Sequence, residues 1–369
     1  MRNMCIFSLL FSVYSIYSLI FAQHNKLFNA MGEKEKITIY DLAQRLNTTA
    51  STVSRALQNN LRISAKMRKA VQELAAELNY IPDPVAHHLR TGKGNVLGII
   101  VPRIDRNYFA TLISSFQTTA QKHDYNIIIA ASNENQEEEL AAVKSLISKK
   151  VDGIAISLSA NSVGASYEEL CNAHHTPLLY FDRIPEECNT DSITNDNFQI
   201  GYDAVMQLRK KGCSKIGIFT GPLRMKQYQE RFNGYKKALA DAGLELNEKF
   251  VFENCITMET GTEAAVKILT NEERPDGIFS SGDYSAITAI EIFKKKGIRI
   301  PEDIAIIGVA NETFDNYLST PLASFDLNQH RTAELAATIL IERLNDKEDV
   351  SEPKHIIVKH DLILRDSAI

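Results

Sequence analysis

The sequence predicts an α/β protein in which a small helical headpiece precedes a core of two lobes, each built on a parallel sheet. Beyond Asn95, short apolar runs alternate with amphipathic segments, and the alternation comes in two successive sets. Short apolar strands separated by such helices specify parallel, doubly wound sheets. Before Asn95 the apolar spacing is that of short helices with clear capping residues. The chain is therefore expected to divide at about this point.

Charge is distributed unevenly between these two parts. The whole chain carries a formal net charge of −5. Residues 36–94 contain nine basic and four acidic residues, whereas residues 95–369 carry a net charge of −11. A basic headpiece on an acidic body indicates a polyanion partner for the headpiece alone, with a solvated charged surface as the alternative.

The headpiece begins with two short predicted helices. The first, Tyr40–Leu46, ends in a turn at residues 47–49, where Asn47 tolerates a left-handed backbone. Thr49 can cap the second helix, Ala50–Leu57, whose apolar positions point back at the first. Two short helices joined by so short a turn make a helix-turn-helix.

Two further helical signals follow. Ser64 can cap a longer helix that runs to about Leu78. Asp83 as a cap and Pro84 at the first helical position then predict a short helix to Arg90. This hinge helix is too short to be stable alone, because nucleation costs more than one or two turns return. We therefore expect it to form only when docked.

The core elements are predicted in two sets. In the first set, strands are expected at residues 96–102, 126–132, 153–157 and 177–182, and helices at 109–123 and 136–149. In the second set, which begins near Ser192, helices are expected at 198–211, 228–241, 261–269 and 285–296, and strands at 216–221, 250–255, 277–282 and 304–309. Two such sets imply two lobes, with ligands bound in the cleft at the carboxyl ends of the strands.

Domain boundaries follow from these elements. The predicted segments are an N-terminal extension at 1–30, the headpiece at 31–81, a hinge and linker at 82–94, and the core at 95–369. Within the core, lobe one is placed at about 95–194 and 326–354, and lobe two at about 195–325 and 355–369.

Ten short segments between Ile37 and Ser367 carry a family resemblance. In order along the chain they are ITIYDLA, TVSRAL, ISAKMRKAV, LNYIPDPVAHHLRTG, VLGIIVP, VDGIAIS, NDNFQIGYDA, ERFNGYKKAL, IPEDIAIIGVANE and LILRDS. The chain resembles the LacI/GalR transcription regulators. The resemblance implies a homodimeric regulator, a repressor or an activator, with a periplasmic-binding-protein-like core, a pseudo-palindromic operator DNA and a small-molecule effector, but no catalytic activity and no cofactor.

In that family the second headpiece helix lies in the major groove. Carried over to this sequence, the resemblance implies that Ala50, Ser51 and Arg55 meet base edges. Arg55 can donate two parallel bonds to a guanine, a contact worth roughly 1 to 3 kcal/mol of discrimination. The alternative for Arg55 is a phosphate contact or a surface ion pair.

Other headpiece and hinge residues are expected to position the DNA. Thr38, Tyr40, Thr49 and Thr52 are interpreted as phosphate contacts, with helix capping and packing as the alternative. Ala86 and Leu89 are the DNA-binding residues of the hinge helix. The resemblance implies that Leu89 wedges into the minor groove, which bends the DNA, although a leucine on a short helix is most often a packing residue.

Effector-binding residues are expected at strand ends facing the cleft. The predicted set is Tyr108, Phe109, Asp182, Arg183, Asp196, Arg231 and Asn311. An aromatic wall with carboxylates and an arginine suits a sugar or another small polar ligand. Asp196 is equally well explained as a helix cap, and Arg231 as a surface ion pair. Ala310 stands where an acidic ligand contact is common in the family, which leaves the ligand's identity open.

Two other classes of protein are alternatives to a regulator. An exported or membrane-anchored solute-binding protein would explain the apolar residues 4–22, which resemble a signal peptide, but would leave the headpiece unexplained. We favour translation from Met31 and a cytoplasmic protein, because a DNA-binding headpiece has no use outside the cytoplasm. An enzyme is disfavoured, because the sequence contains no G-x-S-x-G, Walker or H-E-x-x-H motif. The five scattered cysteines indicate neither a disulfide framework nor a metal site.

Overall fold

The computed structural model describes residues 37–81, 94–162, 167–345 and 352–369. Residues 1–36 and the predicted hinge helix, with Ala86 and Leu89, lie outside the described residues. The described residues fall into two compact units, one on each side of the hinge. Within them, no helix is long and apolar enough to cross a membrane.

The headpiece contains the three predicted helices, α1 (Ile39–Arg45), α2 (Ala50–Leu57) and α3 (Ala65–Glu77). Their buried faces meet in one small core, formed by Leu42, Ala43, Val53, Ala56, Val71 and Ala75. Each helix contributes two of these side chains, so the unit has an apolar centre that depends on no residue of the core.

Side-chain caps begin all three headpiece helices. The hydroxyls of Thr38, Thr49 and Ser64 each accept a hydrogen bond from the backbone N–H three residues later. Such a bond satisfies one of the otherwise unpaired amides of the first turn. Asn47 has a φ of +47°, the left-handed conformation that the turn between α1 and α2 was predicted to need.

The core alternates strands and helices from residue 96 onward. In chain order its elements are β1 (Val96–Val101), α4 (Asn107–Lys122), β2 (Asn126–Ala131), α5 (Gln136–Ser148), β3 (Gly153–Ile156), α6 (Glu168–Ala173), β4 (Leu178–Phe181), β5 (Asp191–Asn195), α7 (Asn197–Lys211), β6 (Ile216–Phe219), α8 (Lys226–Asp241), β7 (Val251–Phe252), α9 (Met258–Thr270), β8 (Gly277–Ser280), α10 (Asp283–Lys295), β9 (Ala305–Val309), β10 (Ala323–Asp326), α11 (Gln329–Asn345), β11 (His355–Val358) and β12 (Asp361–Ile363). Short 3₁₀ turns occupy Glu248–Phe250 and Thr313–Tyr317.

The strands form two six-stranded sheets. The first has the order β11-β5-β4-β3-β1-β2 and all its pairs are parallel. The second has the order β12-β10-β9-β8-β6-β7, and only the β10–β12 pair among these is antiparallel. Strands β1, β3 and β4 are almost wholly buried, which fits central strands covered by helices on both faces.

Two sequence expectations need correction. Residues 355–358 were placed in lobe two, yet they form β11, which pairs in parallel with β5 of the first sheet. The chain therefore enters lobe two only after Val358. The strand expected at 250–255 is reduced to β7, because only two residues pair with the neighbouring β6.

The chain crosses between the lobes three times, after β5, after β10 and after β11. Asn195 lies at the first crossing, and its side-chain amide donates to the carbonyls of Leu327 and Val358 at the other two, both at 3.0 Å. Asn328 adds a bond to the Lys359 carbonyl at 2.7 Å. One buried amide thus ties all three crossings together.

Helices α7 and α8 pack unusually closely in lobe two. A Cβ atom on Gly201 would lie 2.0 Å from the Arg231 carbonyl oxygen, and one on Gly234 would lie 1.9 Å from the Phe198 carbonyl oxygen. Only glycine fits at either position. This close contact fixes the backbone of Arg231, whose side chain points toward the cleft.

Candidate functional site

Helix α2 presents an exposed polar face on the headpiece. Ser51 and Arg55 are exposed and lie one turn apart, whereas Val53 and Ala56 are buried on the opposite side. Ala50 is half-buried and packs against the headpiece core. The side chains expected to reach bases therefore lie on an accessible helix surface, except that Ala50 offers only part of its methyl group.

The residues expected to contact phosphates have partly structural roles. Thr38 and Thr49 are the observed helix caps, and the Thr52 hydroxyl lies 3.0 Å from that of Thr49. Tyr40 is 73% exposed although it is a large aromatic residue. Capping and DNA contact are compatible for the threonines, since a hydroxyl at a helix start can do both.

The core contains a cavity of about 280 Å³ between the carboxyl ends of the strands of both sheets. Five of the seven predicted effector residues line it, namely Tyr108, Phe109, Asp182, Arg183 and Arg231. Its lining combines charged side chains of both signs with aromatic and aliphatic ones.

Asp182 is the centre of the lobe-one wall. Its carboxylate accepts hydrogen bonds from the Tyr108 hydroxyl at 3.0 Å and the Ser157 hydroxyl at 3.2 Å. Burial raises the pKa of Asp182, although Arg183 and these donors oppose the shift. Asp182 also has a φ of +60°, an uncommon backbone conformation for a residue other than glycine.

Arg183 is held by a carboxylate that sequence reasoning missed. Its guanidinium contacts both oxygens of Glu134, at 3.0 and 2.8 Å, and lies 5.7 Å from the centre of the Phe109 ring. Most of the Arg183 charge is therefore compensated within lobe one.

Arg231 is in a different situation. It is only 5% exposed, so a surface ion pair is the wrong explanation for it. It donates to the Asn197 side chain at 2.9 Å and to the Ser281 carbonyl at 3.1 Å. Neither partner is charged, and burial lowers the pKa of the guanidinium. A ligand oxygen would be a favourable further partner for this buried cation.

Three buried acids lie together in lobe two. The Asp283 carboxylate accepts from the Ser324 hydroxyl at 2.8 Å and from the Glu312 backbone N–H at 3.1 Å. Burial and the Asp283 charge raise the pKa of Glu312 to about 7, and they raise the pKa of Asp315 far above its usual range. Glu312 and Asp283 line the cavity, whereas Asp315 lies behind them.

Two predicted effector residues do not line this cavity. Asp196 caps α7 by accepting from the Gln199 backbone N–H at 2.9 Å, the alternative that its position allowed. Asn311 donates to Asp326 at 2.9 Å and accepts from Arg365 at 2.6 Å. Each side chain has a hydrogen-bond partner within the protein, and position in the sequence does not distinguish such a contact from a ligand contact.

The cavity also contains residues that the sequence analysis did not select. They are Arg103, Arg106, Glu134, Tyr228, Thr257, Ser281, Asp283, Tyr284 and Glu312, with several smaller side chains. Most of them come within a few residues of the carboxyl end of β1, β2, β8 or β9, the same signal that selected Asp182. Strand-end position therefore indicates most of this set, but not Tyr228.

Comparison with known proteins connects both sites to one family. The model of the lacI family of bacterial regulatory proteins matches residues 38–83, and that of a periplasmic binding protein-like domain matches residues 205–368. The HTH-type transcriptional repressor PurR of Pasteurella multocida is 33% identical over 89% of this chain and 98% of its own length. The ribose operon repressor of Haemophilus influenzae is 29% identical over 89% of this chain and 98% of its own.

A solved structure is similar along nearly the whole chain. The lac repressor dimer bound to operator and the anti-inducer ONPF has a TM-score of 0.79, covering 91% of this chain and 100% of that one. At 19% sequence identity, this likeness concerns the fold. The predicted fold class, a helix-turn-helix headpiece followed by a two-lobed core, is thereby confirmed.

Proposed function

The chain belongs to the LacI family of bacterial regulatory proteins, and we propose that it is a repressor whose affinity for operator DNA is controlled by a small polar effector. It acts in the cytoplasm as a homodimer on a pseudo-palindromic operator. The effector is a sugar or a related metabolite, bound between the lobes of the core. Because the family consists of transcription regulators, the expectation that the chain is not an enzyme is confirmed.

The cavity, with charged residues of both lobes in its lining, is the observation that carries the effector part of this proposal. Residues of both lobes line it, so a ligand seated there touches Asp182 and Arg183 on one side and Arg231 on the other. Such a ligand stabilises one arrangement of the lobes over others, which is the requirement for a conformational signal. The relatives named above include a ribose operon repressor, which supports a sugar or a compound of similar polarity.

The exposed face of α2 supports the DNA-binding part. Ser51 and Arg55 are free to enter a groove, while the capping threonines and Tyr40 lie near the helix starts, where phosphate contacts fix the register. The matched headpiece at residues 38–83 also argues against a solute-binding protein, which has no need of such a unit.

Effector and operator are thermodynamically linked in this proposal. If the effector changes operator affinity by some factor, operator must change effector affinity by the same factor. Identical effector affinities with and without operator would exclude the linkage.

Selection of duplex DNA from a random library by the full chain tests the DNA-binding part. We expect a pseudo-palindromic consensus, and we expect Arg55→Ala to lose the preference at one position of each half-site, by about 1 to 3 kcal/mol. Arg55→Lys is the matched control, because it keeps the charge but loses the two-pronged donor geometry. Unchanged consensus sequences for both variants would show that Arg55 does not read a base.

A further inference from the structure

Two unsatisfied polar atoms lie on the lobe-two wall of the cavity. The Ser281 Oγ and Glu312 Oε2 atoms are buried and have no hydrogen-bond partner among the described residues. Ser281 follows β8 and Glu312 follows β9, and these two strands are neighbours in the second sheet. Both residues line the cavity. Buried polar atoms of folded proteins are nearly always paired, so a partner from outside the chain is expected here.

Glu312 lies where the two lobes meet. The Asn107 side chain and the Tyr108 backbone N–H, at the start of α4 in lobe one, lie close enough to its carboxylate to oppose the rise of its pKa. Nearby, the Arg106 guanidinium lies 4.0 Å from the centre of the Tyr284 ring, so lobe one also closes over lobe two at this point. Groups of lobe one thus face the Glu312 carboxylate, while its Oε2 atom has no hydrogen-bond partner among the described residues.

We propose that Glu312 selects the effector by charge, accepting through Oε2 a hydrogen bond from a hydroxyl of a neutral polyol, while Ser281 contacts the same ligand. This inference rests on the proposed function, because it concerns the effector of that same cavity. A hydroxyl group can both donate to the carboxylate and pair with the serine hydroxyl. A carboxylate or phosphate placed at this end would only accept, and it would stand beside Asp283 as well as Glu312.

Protonation of Glu312 gives this contact a measurable signature. Burial first, and then the Asp283 charge, raise its pKa to about 7, while Asn107, Arg106 and Tyr108 oppose the shift. The ionisable groups that face it are Asp283 and Tyr284 of α10, Asp315 of the adjacent 3₁₀ turn, and Arg106 of lobe one. A ligand that donates to the carboxylate favours its ionised form, so binding releases a proton to solvent and tightens as the pH rises.

Calorimetric titration of the full chain with matched ligands tests this proposal. The probes are glucose, galactose and ribose, each beside its phosphate, with glucuronate and galacturonate as the carboxylates. We expect a neutral member to bind best, up to about tenfold more tightly at about pH 8 than at about pH 6, and to release protons in buffers of different ionisation enthalpy. The proposal is overturned if an anionic member binds as tightly as its neutral counterpart, or if no neutral member binds.

Three variants locate the effect. Glu312→Gln keeps the shape but cannot ionise, so it should lose the pH dependence and about tenfold in affinity at the higher pH. Ser281→Ala should weaken binding at both pH values and keep the pH dependence. Thr220→Val is the matched control, because the Thr220 hydroxyl is also buried without a hydrogen-bond partner among the residues that the structure describes, but lies outside the cavity lining. A pH dependence retained by Glu312→Gln, or a loss in Thr220→Val equal to that in Ser281→Ala, contradicts the proposal.

Thermal unfolding of each variant establishes that it folds. If Glu312→Gln does not fold, comparing Ser281→Ala with Thr220→Val still tests whether the Ser281 hydroxyl contacts the ligand. The selection of operator DNA separates this inference from the proposed function. If the chain selects a DNA consensus and an anionic metabolite alters that binding, the proposed regulatory function is supported. Only the proposal that Glu312 selects neutral ligands is then contradicted. If it selects no DNA, the proposed function itself fails.

Discussion

The two lobes each bury a glutamate, and the two glutamates are treated in opposite ways. Glu139 of lobe one accepts from the Ser159 backbone N–H at 2.5 Å, from the Ser159 hydroxyl at 2.6 Å and from the Tyr167 hydroxyl at 2.8 Å. Glu312 of lobe two lies beside two other acids, and one of its oxygens has no hydrogen-bond partner in the described part of the chain. A fully paired carboxylate organises a fold, whereas a partly paired one at a cavity holds capacity for something that arrives later.

The largest expected effect is the loss of stability when the fully paired carboxylate of Glu139 is removed. Glu139→Ala leaves three buried donors without an acceptor, and we expect the free energy of unfolding to fall by about 3 kcal/mol or more. Urea unfolding measures the change. Glu137→Ala, at an exposed position of the same helix, is the control and should change stability by less than about 0.5 kcal/mol. If Glu139→Ala lowers the free energy of unfolding no more than Glu137→Ala does, the hydrogen bonds of Glu139 do not stabilise lobe one as this comparison requires.

The acids of lobe two should make stability depend on pH. The folded pKa of Asp315, and likewise that of Glu312, is raised above the value in the unfolded chain. The folded state therefore holds protons that the unfolded state releases, and the stability this provides is lost as the pH rises from about 4 through the folded pKa values. The slope is at most about 1.4 kcal/mol per pH unit for each group.

Asp315→Asn sharpens this expectation. The variant cannot ionise, so its stability between about pH 6 and about pH 9 should fall less steeply than that of the natural chain. Denaturant unfolding of both chains over that range gives the comparison. Parallel curves would mean that Asp315 is not the source of the slope.

The smallest expected changes in stability are those of alanine substitutions at two serines, one in each lobe. Ser159 is paired to Glu139, so Ser159→Ala should cost about 1 to 2 kcal/mol, whereas the Ser281 hydroxyl has no partner among the described residues. Ser281→Ala should therefore leave the ligand-free protein as stable as before, or more stable by up to about 1 kcal/mol. Thermal unfolding without ligand checks both. Equal losses of stability in Ser159→Ala and Ser281→Ala would contradict the distinction between a paired serine in lobe one and, in lobe two, one without a partner in the described part of the chain.

Periodicity and capping predict most of the fold, because helices and strands are specified locally. Asn47, Thr49 and Ser64 are found in the predicted turn and caps. Membership of β11 could not be predicted this way, since it depends on pairing with β5, more than a hundred residues earlier in the chain.

The candidate site could be predicted only in part, for a related reason. Strand-end position identified Asp182 and Arg183, but it cannot say whether a polar side chain faces the cavity or a neighbour. Asp196 bonds to the next helical turn, and Asn311 bonds to residues brought near by the fold. Glu312 also lies at a strand end, three residues after β9, but the lack of a partner for its Oε2 atom among the described residues is evident only in the folded structure.

The three crossings held by Asn195 bear on how the protein is made. Each sheet combines strands from early and late parts of the core segment, since β11 completes the first and β12 the second. Neither lobe can be finished on the ribosome until those late strands have emerged, whereas the headpiece completes its own core from residues 37–81. A chain that ends within the core segment would thus contain a headpiece with a complete apolar core beside two lobes that each lack a strand.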